Sequence, residues 1–280
     1  MSNNRQDFNV SGRLALGPGE YGNLHFSGSG RLTGDITCTS ISSSGALTSE
    51  GSIDCEEQIK CSGAFHCKGS VRTKALGCSG STHIDGGLET GKLECSGSVK
   101  IDGSCSGESI ETSGSLAVKG SLEGKSLDVS GSVKVGKSVK MEIIDTQGSV
   151  SIGGDCEAER FISAGRLDIS GLLNAGEIKI RLSKADSRIA DIGGERIEVR
   201  RAARSGIFDF NPYRGTLDAG SIEGDDIYLE NTKARNVRGT RVYIGSRCEI
   251  DTVEYTGSFE KDADAVVKNL VKVGSGADIQ

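Results

Sequence analysis

Residues 97–147 read GSVKIDGSCSGESIETS, GSLAVKGSLEGKSLDVS and GSVKVGKSVKMEIIDTQ: three lines of seventeen residues, each opening on Gly-Ser. The third line also contains Gly131-Ser-Val-Lys-Val-Gly-Lys-Ser138, a letter-for-letter match to the phosphate-binding loop G-x-x-x-x-G-K-[ST]. That loop works only where a strand runs in and a helix opens at its end, because the helix N-terminus supplies aligned N–H groups and a positive dipole. The neighbouring lines decide the matter. GSVKIDGS (97–104) and GSLAVKGS (114–121) stand at the same phase and lack the lysine, and GGLETGKL (86–93) is a near-match from the same repeat. Val133 and Val135 therefore read as the inward pair of a short strand, and Lys137 and Ser138 as a turn. Nucleotide binding is not expected.

The period extends well beyond these lines. Gly63, Gly80, Gly97, Gly114, Gly131, Gly148 and Gly165 are each seventeen apart. Two residues on come Phe65, Thr82, Val99, Leu116, Val133, Val150 and Leu167, and two further on Cys67, Ile84, Ile101, Val118, Val135, Ile152 and Ile169. A second glycine column runs Gly69, Gly86, Gly103, Gly120, Lys137, Gly154, Gly171. Apolar residues at i and i+2 followed by glycine mark short strands ending in turns. The same residue type recurring at each position means coils stacked on their copies. The expected fold is all-β, a single-domain parallel β-helix of roughly fifteen coils with about seventeen residues each. Inward columns fill a continuous core, and the turn glycines are expected to supply positive-φ corners. Pro18 and Pro212 bracket the regular region, as they must if a missing N–H breaks a ladder.

Composition narrows the classes. The chain has 280 residues, 41 glycines against 2 prolines, and a net charge of −6, which gives no drive toward nucleic acid. The opening MSNNRQDFNV is polar and no apolar run has transmembrane length, so the cytosol is expected. The nine cysteines then serve as small buried thiols.

Along the chain, residues 1–20 read as an N-terminal arm and first coil, and 21–199 as regular coils. Residues 200–219 form an insertion, and 220–280 hold irregular coils and a C-terminal cap. GERIEVR, DDIYLEN and TRVYIG still read as strands in this last part, and ADAVVKNLVKVG as a last coil. The insertion carries Arg200, Arg201, Arg204, Phe208, Phe210 and Tyr213, beside Arg196. This set could bind a protein partner, or the loop could pack its own aromatics over the core.

SGRLTGDITC (29–38), SGSLAVKGSLEGKSLDV (113–129) and GSVSIGGDCEA (148–158) resemble the coil pattern of bactofilins, the bacterial polymer-forming cytoskeletal proteins. The resemblance runs from about Asn9 to Ile180 and more loosely beyond. It implies a right-handed β-helix, nucleotide-independent assembly into filaments, and a scaffolding role in cell shape, motility or placement of envelope enzymes. The implied partners are the chain itself or a paralogue. The short apolar membrane-targeting stretch of many family members has no counterpart here beyond Phe8 and Val10, so membrane association is expected only through partners.

Other β-helices are enzymes, and that class stands third, behind a non-polymerising module that binds a protein partner. Acyltransferases of the hexapeptide kind repeat every six residues and use a histidine base. Here the spacing is seventeen, and His66 and His83 share an outward column with Lys100, Ala117 and Lys134, which reads as a solvated face. The ladder Cys61, Cys78, Cys95 could hold a soft metal, yet Thr112 and Val129 continue it, so it reads as filling for a small inward slot. Glu94, Glu111, Asp128 and Asp145 stack four carboxylates in one outward row, a weak candidate for a divalent cation or a basic partner. No cofactor and no catalytic residue are expected. For self-assembly the candidates are the terminal coils: Leu14, Leu16 and Leu24 at one end, Phe259, Leu270, Val271 and Val273 at the other. Unblocked terminal strands template further pairing.

Overall fold

The computed structural model describes residues 5–201 and 215–274, all of them strand, turn or irregular chain without a helix. No helix among them is long and apolar enough to cross a membrane. The strands pair in parallel and form a β-solenoid of about fifteen turns with roughly seventeen residues per turn. They fall into two compact units, Met1–Val139 and Lys140–Gln280.

From Gly63 onward each coil of the first unit has the same anatomy. A four-residue strand such as Ser98–Ile101 is followed by an eight-residue strand such as Cys105–Thr112. Val99, Ile101, Cys105, Gly107, Ile110 and Thr112 are buried and the residues between them are not. The chain thus makes three inward pairs, separated by corners of three residues (102–104), two (108–109) and three (113–115). Ser98–Ile101 pairs with Ser81–Ile84 on one side and Ser115–Val118 on the other, so Val99 stacks between Thr82 and Leu116. Each inward column is buried by its own repeats, at about 1.5–3 kcal/mol for every fully buried Val, Leu or Ile.

The corner glycines answer to a different requirement than positive φ. Among the described residues φ is positive only at Gly19, Asn231 and Arg247. What the corner cannot hold is a Cβ. Ser115 N donates to Gly97 O at 2.9 Å, which draws the two corners together until a Cβ on Gly114 would lie 2.0 Å from that carbonyl oxygen. Gly80, Gly97 and Gly131 meet the preceding glycine's carbonyl at 2.0–2.1 Å in the same way. The column is glycine because stacked backbones touch there.

Lys137 takes its place in the second corner column, its N–H donating to Gly120 O at 3.2 Å. Ser138 Oγ lies 3.1 Å from Ser121 Oγ, and the next element is the strand Val139–Lys140. No helix opens there, so the phosphate-loop match has no anion-binding geometry behind it.

In the second unit the strands lengthen: Arg166–Leu182, Ser187–Arg201, Leu217–Leu229, Thr232–Ile244 and Glu249–Lys261. The steps between paired residues vary, from Phe161↔Ile178 through Ile178↔Ile197 to Ile227↔Val242. Ile197 pairs with Ile227, so the insertion between them is spliced in without loss of stacking. Its flanks are strand: residues 200–201 close one strand and 217–219 open the next. Arg204, Phe208, Phe210, Pro212 and Tyr213 lie outside the described residues. The segment read as a last coil forms the strand Val266–Lys272, parallel to Glu249–Lys261.

Candidate functional site

The candidate assembly residues divide sharply. At the C-terminal end Leu270 and Val271 are 50% and 44% exposed, and Val266, absent from the sequence reading, is 52% exposed. All three belong to a strand that pairs on one side with Glu249–Lys261 and, among the described residues, with nothing on the other. Lys268 anchors this strand through Asp251 at 2.7 Å, and Lys272 lies over the Tyr255 ring at 5.9 Å. Phe259 and Val273 are half-buried, Phe259 against Tyr255 at 5.6 Å between ring centroids.

At the N-terminal end Leu24 does not belong with the end residues. It is 1% exposed and sits between Phe8 on one side and Ile41 on the other, inside the second coil. Leu16 is buried above Leu32, while Leu14 is half-buried above Gly30. The sequence missed this because Phe8–Val10 is too short to show a period.

The described part of the expected basic patch is consumed locally. Arg200 hydrogen-bonds Glu198 and lies 4.2 Å above the Tyr228 ring. Tyr228 is in turn stacked on Tyr243 at 4.8 Å and 3°. Arg201 donates its N–H to Glu230 at 2.9 Å, which fastens the strand end before the insertion.

Strand pairing places Glu94 opposite Glu111, and Glu111 opposite Asp128. Asp145 belongs to the second unit, opposite Ile162. The row is not left bare. Lys92 Nζ lies 2.6 Å from Glu94 and 3.2 Å from Glu111. Its hydrogen bonds hold Glu94 below the usual carboxylate range and raise Lys92 itself.

The cysteine ladder shows what its slot selects. Cys78 Sγ donates to Gly80 O at 3.4 Å and Cys95 Sγ to Gly97 O at 3.4 Å, and Thr90 Oγ1 does the same for Lys92 O at 2.9 Å. A small donor just before a corner can satisfy the carbonyl two residues on, but Thr112, which follows Cys95 in the ladder, leaves its buried hydroxyl without a partner, so small size is what Cys and Thr share in this slot. Burial pushes Cys61, Cys105 and Cys156 up to about 12, so they stay thiols.

The histidine column carries a convergence that periodicity alone did not reveal. His66 and His83 are register partners whose rings stack at 4.9 Å and 9°. Both Nε2 atoms face one carboxylate oxygen, Asp85 Oδ1, at 2.9 Å from His66 and 3.3 Å from His83. The hydrogen bond to His66 holds Asp85 below the usual carboxylate range. One coil on, Asp102 is drawn down to about 2 by a hydrogen bond from Lys119, with Lys100 adding to it. The signal lay one column away: Lys68, Asp85, Asp102 and Lys119 are the first residues after the short strand, at the opening of the corner and two positions from the histidine column.

Stacked parallel coils, an inward apolar core in each unit and outward ladders of paired charge define the class as a parallel β-solenoid repeat protein. Two curated relatives match part of it, both from Bacillus subtilis (strain 168). The uncharacterized protein YhbF is 46% identical over 103 residues, which is 37% of this chain and 42% of that protein. The uncharacterized protein YhbE is 42% identical over 106 residues, which is 38% of this chain and 44% of that protein. The match thus spans less than half the length of either relative. No family model and no solved structure matches.

Proposed function

We propose that this chain is a non-enzymatic structural protein of the bactofilin kind. It assembles end to end through its terminal coils, without nucleotide, and positions other proteins in the cytoplasm. The observation that carries this reading is the last described strand, in which Leu270 continues the inward column over Val253 while Val266 and Val271 stand outward opposite Glu249 and Glu254. These three apolar side chains stand about half exposed on a strand with an unpaired edge among the described residues. An exposed apolar strand edge is a template for another strand, and a solenoid needs a polar terminal coil to stay apart from its copies. The resemblance of the coil pattern to polymer-forming proteins points the same way, with like ends meeting like ends.

Light scattering and negative-stain microscopy at tens of micromolar protein and physiological salt test the reading. Filaments are expected for the wild type. Val271→Lys should abolish them while changing monomer stability by less than about 0.5 kcal/mol, as surface substitutions do, whereas Leu270→Lys, over buried Val253, should abolish them at a larger cost to the last coil. Val133→Lys places a charge in the 1% exposed Val133 slot, and should cost about 4 kcal/mol or more and unfold coils. A wild type that stays monomeric under these conditions sinks the proposal.

A further inference from the structure

The histidine convergence supports a site independent of assembly. We propose that His66, His83 and Asp85 bind a borderline divalent transition metal, Zn²⁺ being the probe of choice.

The geometry is set by the solenoid. Strands Ala64–Cys67 and Ser81–Ile84 pair in register, so His66 and His83 project outward side by side. Asp85 follows Ile84 around the corner and turns its carboxylate back toward both rings. One ligand atom from each of the three residues lies within 4.8 Å of the other two. Tetrahedral zinc with bonds of about 2.0–2.1 Å puts its ligand atoms roughly 3.3 Å apart. The 2.9 and 3.3 Å separations from Asp85 match that spacing, and the two rings, now stacked at 9°, would turn about their side-chain bonds to aim both Nε2 lone pairs at one ion while the backbone stays in place. Two imidazoles and one carboxylate suit Zn²⁺, Ni²⁺ or Cu²⁺, and not Mg²⁺ or Ca²⁺, which prefer all-oxygen shells.

The neighbours confine the site to these two coils. In the same column Thr48 precedes His66 and Lys100 follows His83. Asp102 Oδ2 lies 3.5 Å from His83 Nε2, but Asp102 is already held by Lys119 at 2.9 Å and Lys100 at 3.3 Å. The fourth position is therefore left to water. Lys100 Nζ sits 3.2 Å from His83 Nε2 and competes with the ion. It is a long, half-exposed side chain that can swing away, so Lys100 lowers affinity without abolishing it.

The test is titration of the full-length protein with Zn²⁺ in a chelator-competition assay, read in parallel by histidine ¹⁵N chemical shifts. One equivalent should bind and move the Nε2 resonances of His66 and His83. His25, whose Nε2 faces Ser27 Oγ at 3.2 Å, should stay put. His66→Gln, His83→Gln and Asp85→Asn should each weaken binding at least tenfold, and Lys100→Ala should tighten it. Circular dichroism of each variant checks that the coils remain folded. Mg²⁺ and Ca²⁺ should compete for nothing. The proposal is overturned if no Zn²⁺ binds at millimolar concentration, or if the His66→Gln/His83→Gln double variant binds as tightly as the wild type, which would assign the ion to the thiols.

Discussion

Residues 97–113 and 217–231 build the same object with different lengths of chain. In the first, inward pairs are joined by corners of three, two and three residues, which makes a seventeen-residue coil. In the second, Leu217 and Ala219, Ile222 and Gly224, and Ile227 and Leu229 are joined by corners of two residues each, which makes fifteen. Two-residue corners leave strand pairing unbroken, so Leu217–Leu229 is one strand where the first coil shows two. The register shifts in the pairing tell the same story. They fall between Cys38 and Ser40, Cys55 and Gln58, Ile169 and Leu172, and Gly239 and Arg241, always at a corner. The core fixes the alternation within each face, because a one-residue slip there turns every following side chain over. It does not fix corner length.

The largest expected effect sets face against corner. A glycine inserted between Asp225 and Asp226 converts a two-residue corner into a three-residue one, and lengthening a connection costs little entropy. It should lower stability by about 1 kcal/mol or less. The same glycine between Ile227 and Tyr228 puts Leu229 outward, and the coil should lose its cooperative thermal transition altogether. Equal melting curves for the two insertions would refute the distinction.

A smaller effect separates the glycines of corners from the rest. A Cβ on Gly114 meets backbone at 2.0 Å, whereas one on Gly77 meets only Lys60 Cγ at 3.9 Å. Gly114→Ala should cost about 2–3 kcal/mol as an overpacking change that moves backbone. Gly77→Ala should be neutral or gain up to roughly 0.5 kcal/mol from the unfolded chain. Urea unfolding of the two variants reads both signs at once.

These contrasts also explain how far the sequence could be read. From Gly63 to Gly165 the corners keep one length, so period, inward columns and stacking partners were all legible, down to the pairing of Val99 with Thr82 and Leu116. Past Ile180 the corners first lengthen and then shorten, so the phase drifts, although Ile222, Ile227, Val237 and Val242 keep the inward alternation. What the glycines do was not legible, because both a left-handed turn and a backbone contact ask for glycine. Leu24 was misplaced for want of a readable first strand. The site at His66 and His83 was half visible: the column showed in the sequence, but Asp85 reaches it from the neighbouring column at the opening of the corner, a step that periodicity within one column does not report.

The smallest effect concerns the acidic row, where the first unit again differs from a bare repeat of like charges. Glu94 and Glu111 would repel if only their column mattered, yet Lys92 reaches both from the adjacent outward position. All three side chains are well exposed, at 44–59%, so the attraction is screened and modest. Lys92→Ala should lower the melting temperature measurably at about 10 mM salt and hardly at all at roughly 0.5 M, where the screening length falls to a few Å. Glu111→Gln in the Lys92→Ala background should recover most of the loss, because it removes the repulsion that Lys92 had masked. If Lys92→Ala is instead equally destabilising at both salt concentrations, its aliphatic stem rather than its charge is what the coil uses. The acidic row would then have to be stabilised by something other than the lysine beside it.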